Sequence, residues 1–191
     1  MAGPPEPVGP VRMFVAAWPD DETKQRLSDL DLTPEKGVRP VGPDRWHITL
    51  RFLGEVDEAL VPALGDALRS AVAAVPGPVE CRLGPGTGWF TGVRVLQVPA
   101  AGLDALAAAV RDATLPLVAE PAQGEPPFNG HLTLARAKGR RRAGPAPRAL
   151  AGIPVDAAFA VDHVDLVVST PSPRGHVYAT VAQASLGNGR G

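Results

Sequence analysis

Trp46-His47-Ile48-Thr49-Leu50 recurs further along the chain as Gly130-His131-Leu132-Thr133-Leu134, with the two histidines 84 residues apart. Only four histidines occur in the whole sequence, and two of them stand in the pattern His–aliphatic–Thr–aliphatic. Read as strands, each copy places residues i and i+2 on one face. His47 and Thr49 then project together while Ile48 and Leu50 face a core, and His131 and Thr133 do the same over Leu132 and Leu134. Each copy occupies about half the chain, so the repeat predicts two similar lobes facing one another. Between them the lobes present two imidazoles and two hydroxyls across a cleft.

Outward from the repeat, the remaining segments fall into short strands and a few helices. Val11–Trp18 is an apolar run closed by Pro19 and reads as a strand; Asp20 or Asp21 caps a helix running toward Leu32. Arg39–Asp44 reads as a Pro/Gly loop and Trp46–Phe52 as a strand. Asp57 opens a helix to about Val75, with Leu60, Leu64, Leu68 and Val72 on one face. Val79–Leu83 and Val93–Val98 read as strands around the turn Gly84–Gly88, and Leu103–Leu115 as a second amphipathic helix. A loop over 121–130 leads to the strand His131–Ala137. Lys138–Arg148 is a basic connection, and two long apolar alternations, Val155–Ser169 and His176–Ala184, finish the domain. Several strands follow one another without an intervening helix, which predicts an α+β fold with antiparallel pairing rather than a doubly wound parallel sheet. The expected organisation is one bilobal domain over 11–186 between disordered tails at 1–10 and 187–191.

Composition narrows the function classes. The 191 residues carry 20 acidic and 19 Lys/Arg side chains, a formal charge of −1, which excludes a wholly basic nucleic-acid binder. The single cysteine, Cys81, excludes an internal disulfide framework and any Cys-rich metal site. No stretch reads as a signal peptide or a membrane span, so the expectation is a cytoplasmic protein without membrane partners, and nothing demands more than a monomer. No Asp/Glu cluster or His-rich spacing near the repeat suggests a metal, and no cofactor motif is present.

In-line displacement at phosphorus needs a base for the incoming water and an acid for the departing oxygen. Histidine, with an ordinary pKa of about 6.5, supplies both forms near neutrality. The two groups must flank the phosphorus, which separate lobes permit, and threonine hydroxyls can donate to its non-bridging oxygens. A cyclic phosphodiester suits such a set, because ring strain reduces dependence on a metal.

The stretches WHITLRFLGEV (46–56) and FNGHLTLAR (128–136) resemble the two signatures of the 2H phosphoesterases. More narrowly, they are similar to the RNA 2′,3′-cyclic phosphodiesterases, also named 2′-5′ RNA ligases. MFVAAWPD (13–20) is similar to that family's first strand and VDHVDLVVSTPSPRGHVYATVA (161–182) to its closing strand pair. The resemblance implies a bilobal α+β fold, with two antiparallel sheets around a central cleft and helices outside. It also implies metal-independent hydrolysis of 2′,3′-cyclic phosphates, on RNA ends or small cyclic nucleotides, to 2′-phosphomonoesters. Carried over, His47 and His131 are the catalytic pair, and Thr49, Thr133 and Arg136 hold phosphate oxygens. His131 is assigned as base and His47 as acid, with the reverse order open. Simple alternation puts Arg136 on the face away from His131, so reaching phosphate requires a bulge or strand end near Ala135. Where the family usually has proline before the second histidine, this chain has Gly130. Two other readings stand beside hydrolysis: the reverse reaction, joining RNA ends through a 2′-5′ linkage, and an RNA-end binding module without turnover.

Other residues carry weaker expectations. Phe14 either stacks on a base at the cleft, by resemblance, or is core. Phe52 shares the parity of Ile48 and Leu50 and is expected to pack inside. Arg51 shares a face with His47 and Thr49 and reaches either substrate or solvent. Trp46 and Trp89 are candidates to flank the cleft, with nothing to favour them. The cations of Lys138, Arg140, Arg141, Arg142 and Arg148 are either an RNA-backbone contact or a solvated loop. His163 and His176 are expected to be ordinary surface or strand histidines.

Overall fold

The structure is a computed structural model and describes residues 9–32, 37–90, 95–120, 124–137, 150–173 and 175–188. The basic run over 138–148 lies outside them. In chain order the elements are β1 (Val11–Ala17), α1 (Asp21–Ser28), β2 (Val38–Pro40), β3 (Ile48–Val56), α2 (Val61–Val72), β4 (Pro76–Gly77), β5 (Val79–Leu83) and β6 (Gly88–Trp89). They continue with β7 (Val95–Ala101), α3 (Asp104–Thr114), β8 (His131–Ala137), β9 (Ala157–Val161), β10 (His163–Ser172), β11 (Gly175–Ser185) and β12 (Gly187–Asn188).

Eight strands run in the order β11-β10-β1-β3-β8-β7-β5-β9, with β2 added beside β8 and β6 beside β7. All these pairs are antiparallel, as a chain of successive strands without crossover helices should produce. The sheet divides into two four-strand halves, β11-β10-β1-β3 and β8-β7-β5-β9. They meet through one residue pair, Ile48 opposite Leu132. Those residues are the same position of the two repeats, so a local two-fold axis passes between them, and both are completely buried.

The helices lock the halves together. α1 follows β1 yet packs on β9 of the other half, and α3 follows β7 yet packs on β3. α2 covers β10 and β11 and lies against α3. One continuous apolar cluster therefore draws on both halves, from Met13 and Leu50 to Leu134 and Phe159. No described helix is long and apolar enough to cross a membrane.

Several boundaries differ from the sequence reading for local reasons. α1 is capped by Asp20, whose Oδ1 accepts the Thr23 N–H at 2.8 Å. It stops at Ser28 because only Thr23 and Leu27 are buried along it. The expected loop Arg39–Asp44 overlaps β2 and a 3-10 turn, Pro43–Arg45. The helix expected from Asp57 starts with a 3-10 turn, Glu58–Leu60, before α2. The alternation Val155–Ser169 is two strands broken at Asp162, β9 pairing with β5 and β10 with β1, so one apolar run serves opposite halves. Gly187 and Asn188, expected in a disordered tail, pair with Pro76 and Gly77.

Candidate active site

Each catalytic candidate is fixed by the same local bond. His47 Nδ1 lies 2.8 Å from the Arg45 carbonyl oxygen, and His131 Nδ1 lies 2.8 Å from that of Asn129. A carbonyl only accepts, so Nδ1 donates in both rings and Nε2 of each neutral imidazole carries the free lone pair. The repeat thus specifies a tautomer as well as a residue, twice.

Both strands then bulge at the third residue after the histidine. Register along β3 slips between Thr49 and Arg51, leaving Leu50 unpaired, and along β8 between Thr133 and Ala135, leaving Leu134 unpaired. A bulge reverses the faces beyond it. Leu50 and Arg51 both point inward, as do Leu134 and Ala135, and the next residue of each strand, Phe52 or Arg136, turns to the cleft. The bulge required for Arg136 is therefore present, and its twin in the first repeat corrects two expectations. Phe52 is not core but 47% exposed at the cleft, beneath the Arg12 guanidinium at 4.7 Å. Arg51 reaches neither substrate nor solvent. It is buried, donating to Glu125 (3.2 Å), the Thr114 hydroxyl (2.7 Å) and the Val118 carbonyl (3.0 Å). A second slip at Leu53 is followed by Gly54 at φ 78°, a conformation glycine adopts without strain.

A cavity of about 390 Å³ opens over the junction of the halves. His47, Thr49, Thr133 and Arg136 line it together, as the sequence anticipates. His131 stands beside this cavity rather than in its lining, two residues from Thr133 on β8, with the edge of Phe90 against its ring at 4.7 Å. Phe14 also lines the cavity but is only 4% exposed, and its ring face is taken by His47 at 4.8 Å. It is thus a wall for the imidazole rather than an open stacking platform.

The two histidines differ in their surroundings. Phe14, Trp18 and Tyr178 enclose His47, with ring centroids 4.8, 5.3 and 5.2 Å away. Burial pushes its pKa from 6.5 down to about 4. The bond to the Arg45 carbonyl works the other way, while the nearby charges of Arg136 and His131 add to the lowering.

Sequence reasoning missed much of the wall. Arg12, Arg39 and Arg45 join Arg136 around the cavity, and no acidic residue among the described ones lines it. Arg39 is placed by β2, where it faces Arg136 across the ladder. His176, expected to be an ordinary strand histidine, is on a strand but lines the cleft, its Nδ1 2.9 Å from the Ser169 hydroxyl. His163 lies outside it and pairs with Asp162. Trp46 is buried in the core and Trp89 packs against it; the tryptophan beside the site is Trp18. Gly130, in place of the family's proline, has a structural cause. A Cβ there would collide with the Ala100 carbonyl of β7, whose amide in turn donates to the Gly130 carbonyl at 2.9 Å.

A pair of tautomer-locked imidazoles, paired threonines and a cationic wall form an arrangement whose chemistry suits a phosphate group. Comparison with known proteins bears on the family and the fold. Residues 19–172 match the family model of the 2′-5′ RNA ligase superfamily. The RNA 2′,3′-cyclic phosphodiesterase of Thermus thermophilus is 33% identical over 92% of this chain and 90% of its own length. A crystal structure from the same organism superposes with TM-score 0.77 at 31% identity, covering 93% of this chain and 98% of that one. Escherichia coli LigT in apo form, at 24% identity, shares the fold with TM-score 0.66 over 95% of this chain and 100% of its own. The protein described here belongs to the 2′-5′ RNA ligase superfamily.

Proposed function

We propose that this protein hydrolyses 2′,3′-cyclic phosphates, on RNA ends or free nucleotides, to 2′-phosphomonoesters without a metal ion. The observation that carries the reading is the paired environment of His47 and His131, each presenting Nε2 from the same repeat position on either side of the Ile48–Leu132 junction. The name of the Thermus relative supports it.

In this mechanism water attacks phosphorus while one imidazole takes its proton at Nε2. The bond from phosphorus to the 3′-oxygen breaks, and the second imidazole gives that oxygen a proton. The 2′-ester bond survives, leaving a 2′-phosphomonoester and a 3′-hydroxyl. Thr49 and Thr133 donate hydroxyl hydrogens to the non-bridging oxygens, and Arg136 offsets the negative charge that builds there. Because burial holds the His47 pKa down to about 4 and the ring neutral at pH 7, its surroundings support a base role, with His131 as the acid. That order is the reverse of the one read from sequence.

Phosphorus NMR after incubating a cyclic-phosphate-ended oligonucleotide in EDTA should show a 2′-phosphomonoester; an intact cyclic phosphate overturns the proposal. His47→Ala and His131→Ala should each lose on the order of 10²–10⁴ in rate. A substrate with sulfur at the bridging 3′ position needs no leaving-group acid. It should restore turnover to His131→Ala and not to His47→Ala; the opposite pattern would return the roles to the sequence-based order.

A further inference from the structure

The reacting phosphate does not use all of the cationic wall. A cyclic phosphodiester carries one negative charge, which Thr49, Thr133 and Arg136 suffice to meet. Arg12 lies opposite Glu55 on β3, whereas Thr49 lies opposite Ala16, so Arg12 stands four residues further along β1, roughly 13 Å from the threonine level. There it adjoins the end of the β10–β11 hairpin, since Met13 pairs with Val168. His176 reaches the same place through its bond to Ser169. The Arg45 guanidinium comes in from the opposite side, with Nη1 2.8 Å from where a Gly175 side chain would begin. Two carboxylates stand near these three among the described residues, Glu55 opposite Arg12 on β3 and Asp44, 4.0 Å from Arg45 Nε, and neither lines this cavity. Beyond Tyr178 the trough continues into a space of about 660 Å³ that shares Arg45, His176 and Tyr178.

We propose that Arg12, Arg45 and His176 form a second anion subsite, which takes a further phosphate of a substrate already held at Thr49, Thr133 and Arg136. Arg12 and Arg45 line the cavity while their neighbouring carboxylates, Glu55 and Asp44, do not, and a second phosphate would compensate the positive charge that this leaves there. The room past Tyr178 admits the nucleotide attached to it. The inference rests on the proposed placement of the reacting phosphate, and it deepens that reading. The preferred substrate carries at least two phosphates, as an RNA end or a 5′-phosphorylated nucleotide does and a bare nucleoside cyclic phosphate does not.

Calorimetric binding of three product-like probes tests the subsite without requiring turnover. The probes are adenosine 2′-phosphate, adenosine 2′,5′-bisphosphate, and the dinucleotide ApA with a 2′-phosphate on its 3′ residue. At least one two-phosphate probe should bind about tenfold tighter than the monophosphate, with a salt slope steeper by about one. A gain confined to the dinucleotide identifies an internucleotide diester as the ligand, and one confined to the bisphosphate a terminal phosphate. In Arg12→Gln and Arg45→Gln, checked for folding by circular dichroism, that advantage should shrink several-fold. Equal binding of all three probes overturns the proposal, as does an advantage that survives in the double variant. Hydrolysis of adenosine 2′,3′-cyclic phosphate is measured alongside. Absence of hydrolysis there and on a cyclic-phosphate-ended oligonucleotide would sink the catalytic reading while leaving the binding comparison intact.

Discussion

His47 is held where an imidazole resists protonation, and that has a measurable consequence for the folded state. Its pKa is about 4 inside the aromatic enclosure, whereas the unfolded chain returns it to about 6.5. Between those values the unfolded state binds a proton that the folded state refuses. Stability is therefore full above about pH 6.5 and declines as pH falls toward 4. His47→Leu should flatten that part of a melting-temperature profile. In Phe14→Ala the ring should titrate closer to 6.5 in proton NMR, because opening the enclosure rehydrates the charged form. An unmoved titration would show that burial is not the cause. Gly130 is constrained as tightly by backbone approach: with the Ala100 carbonyl where a Cβ would lie, Gly130→Ala must push β7 away from the loop that holds His131. We expect a lower melting temperature and a lower kcat from this change, and the family's proline to be no better tolerated.

At the scale of elements, period-2 alternation was legible up to the third residue after each histidine and not beyond. The pattern puts His47, Thr49 and Thr133 on the face that lines the cavity, with His131 beside it, because these residues precede the bulges. It misplaces Arg51 and Phe52 because a bulge inserts one residue without any change in composition. The one clue in β3 is Gly54, and it marks the slip at Leu53 rather than the one at Leu50. The consequence for Arg51 is a buried guanidinium that ties β3 to the end of α3 and, through Glu125, to the loop leading into His131. Arg51→Met keeps much of the apolar stem but takes the donor from the Val118 carbonyl and leaves Glu125 to Arg111, 3.9 Å away. Leaving a desolvated acceptor unpaired costs about 1–3 kcal/mol. Urea unfolding should show that loss, and kcat should fall with it because the His131 loop loses its anchor. Arg51→Lys should recover part of both. A variant as stable and as active as the wild type would show that the tie is dispensable.

For the whole molecule, the duplicated pentapeptide made two facing halves readable, but not how they hold each other. Nothing in the helix patterns says that α1 lies on β9 or that α3 lies on β3, because amphipathic periodicity reports an apolar face and not its partner. The cationic wall was equally hidden, since Arg12, Arg39, Arg45 and Arg136 come from β1, β2, a 3-10 turn and β8 with no common spacing. The exchange of helices makes the halves mutually dependent, because each core is completed by the other half's sequence. Unfolding should accordingly be a single transition, coincident by tryptophan fluorescence and far-UV circular dichroism. The strictest test lies at the two-fold axis. Ile48→Ala and Leu132→Ala each empty a fully buried position and should cost about 2–5 kcal/mol. As direct partners they should depart from additivity by about 0.5–3 kcal/mol in a double-mutant cycle. Both singles should still unfold in one step. Two separated transitions in either variant would mean that the halves fold independently and that the exchanged helices do not couple them.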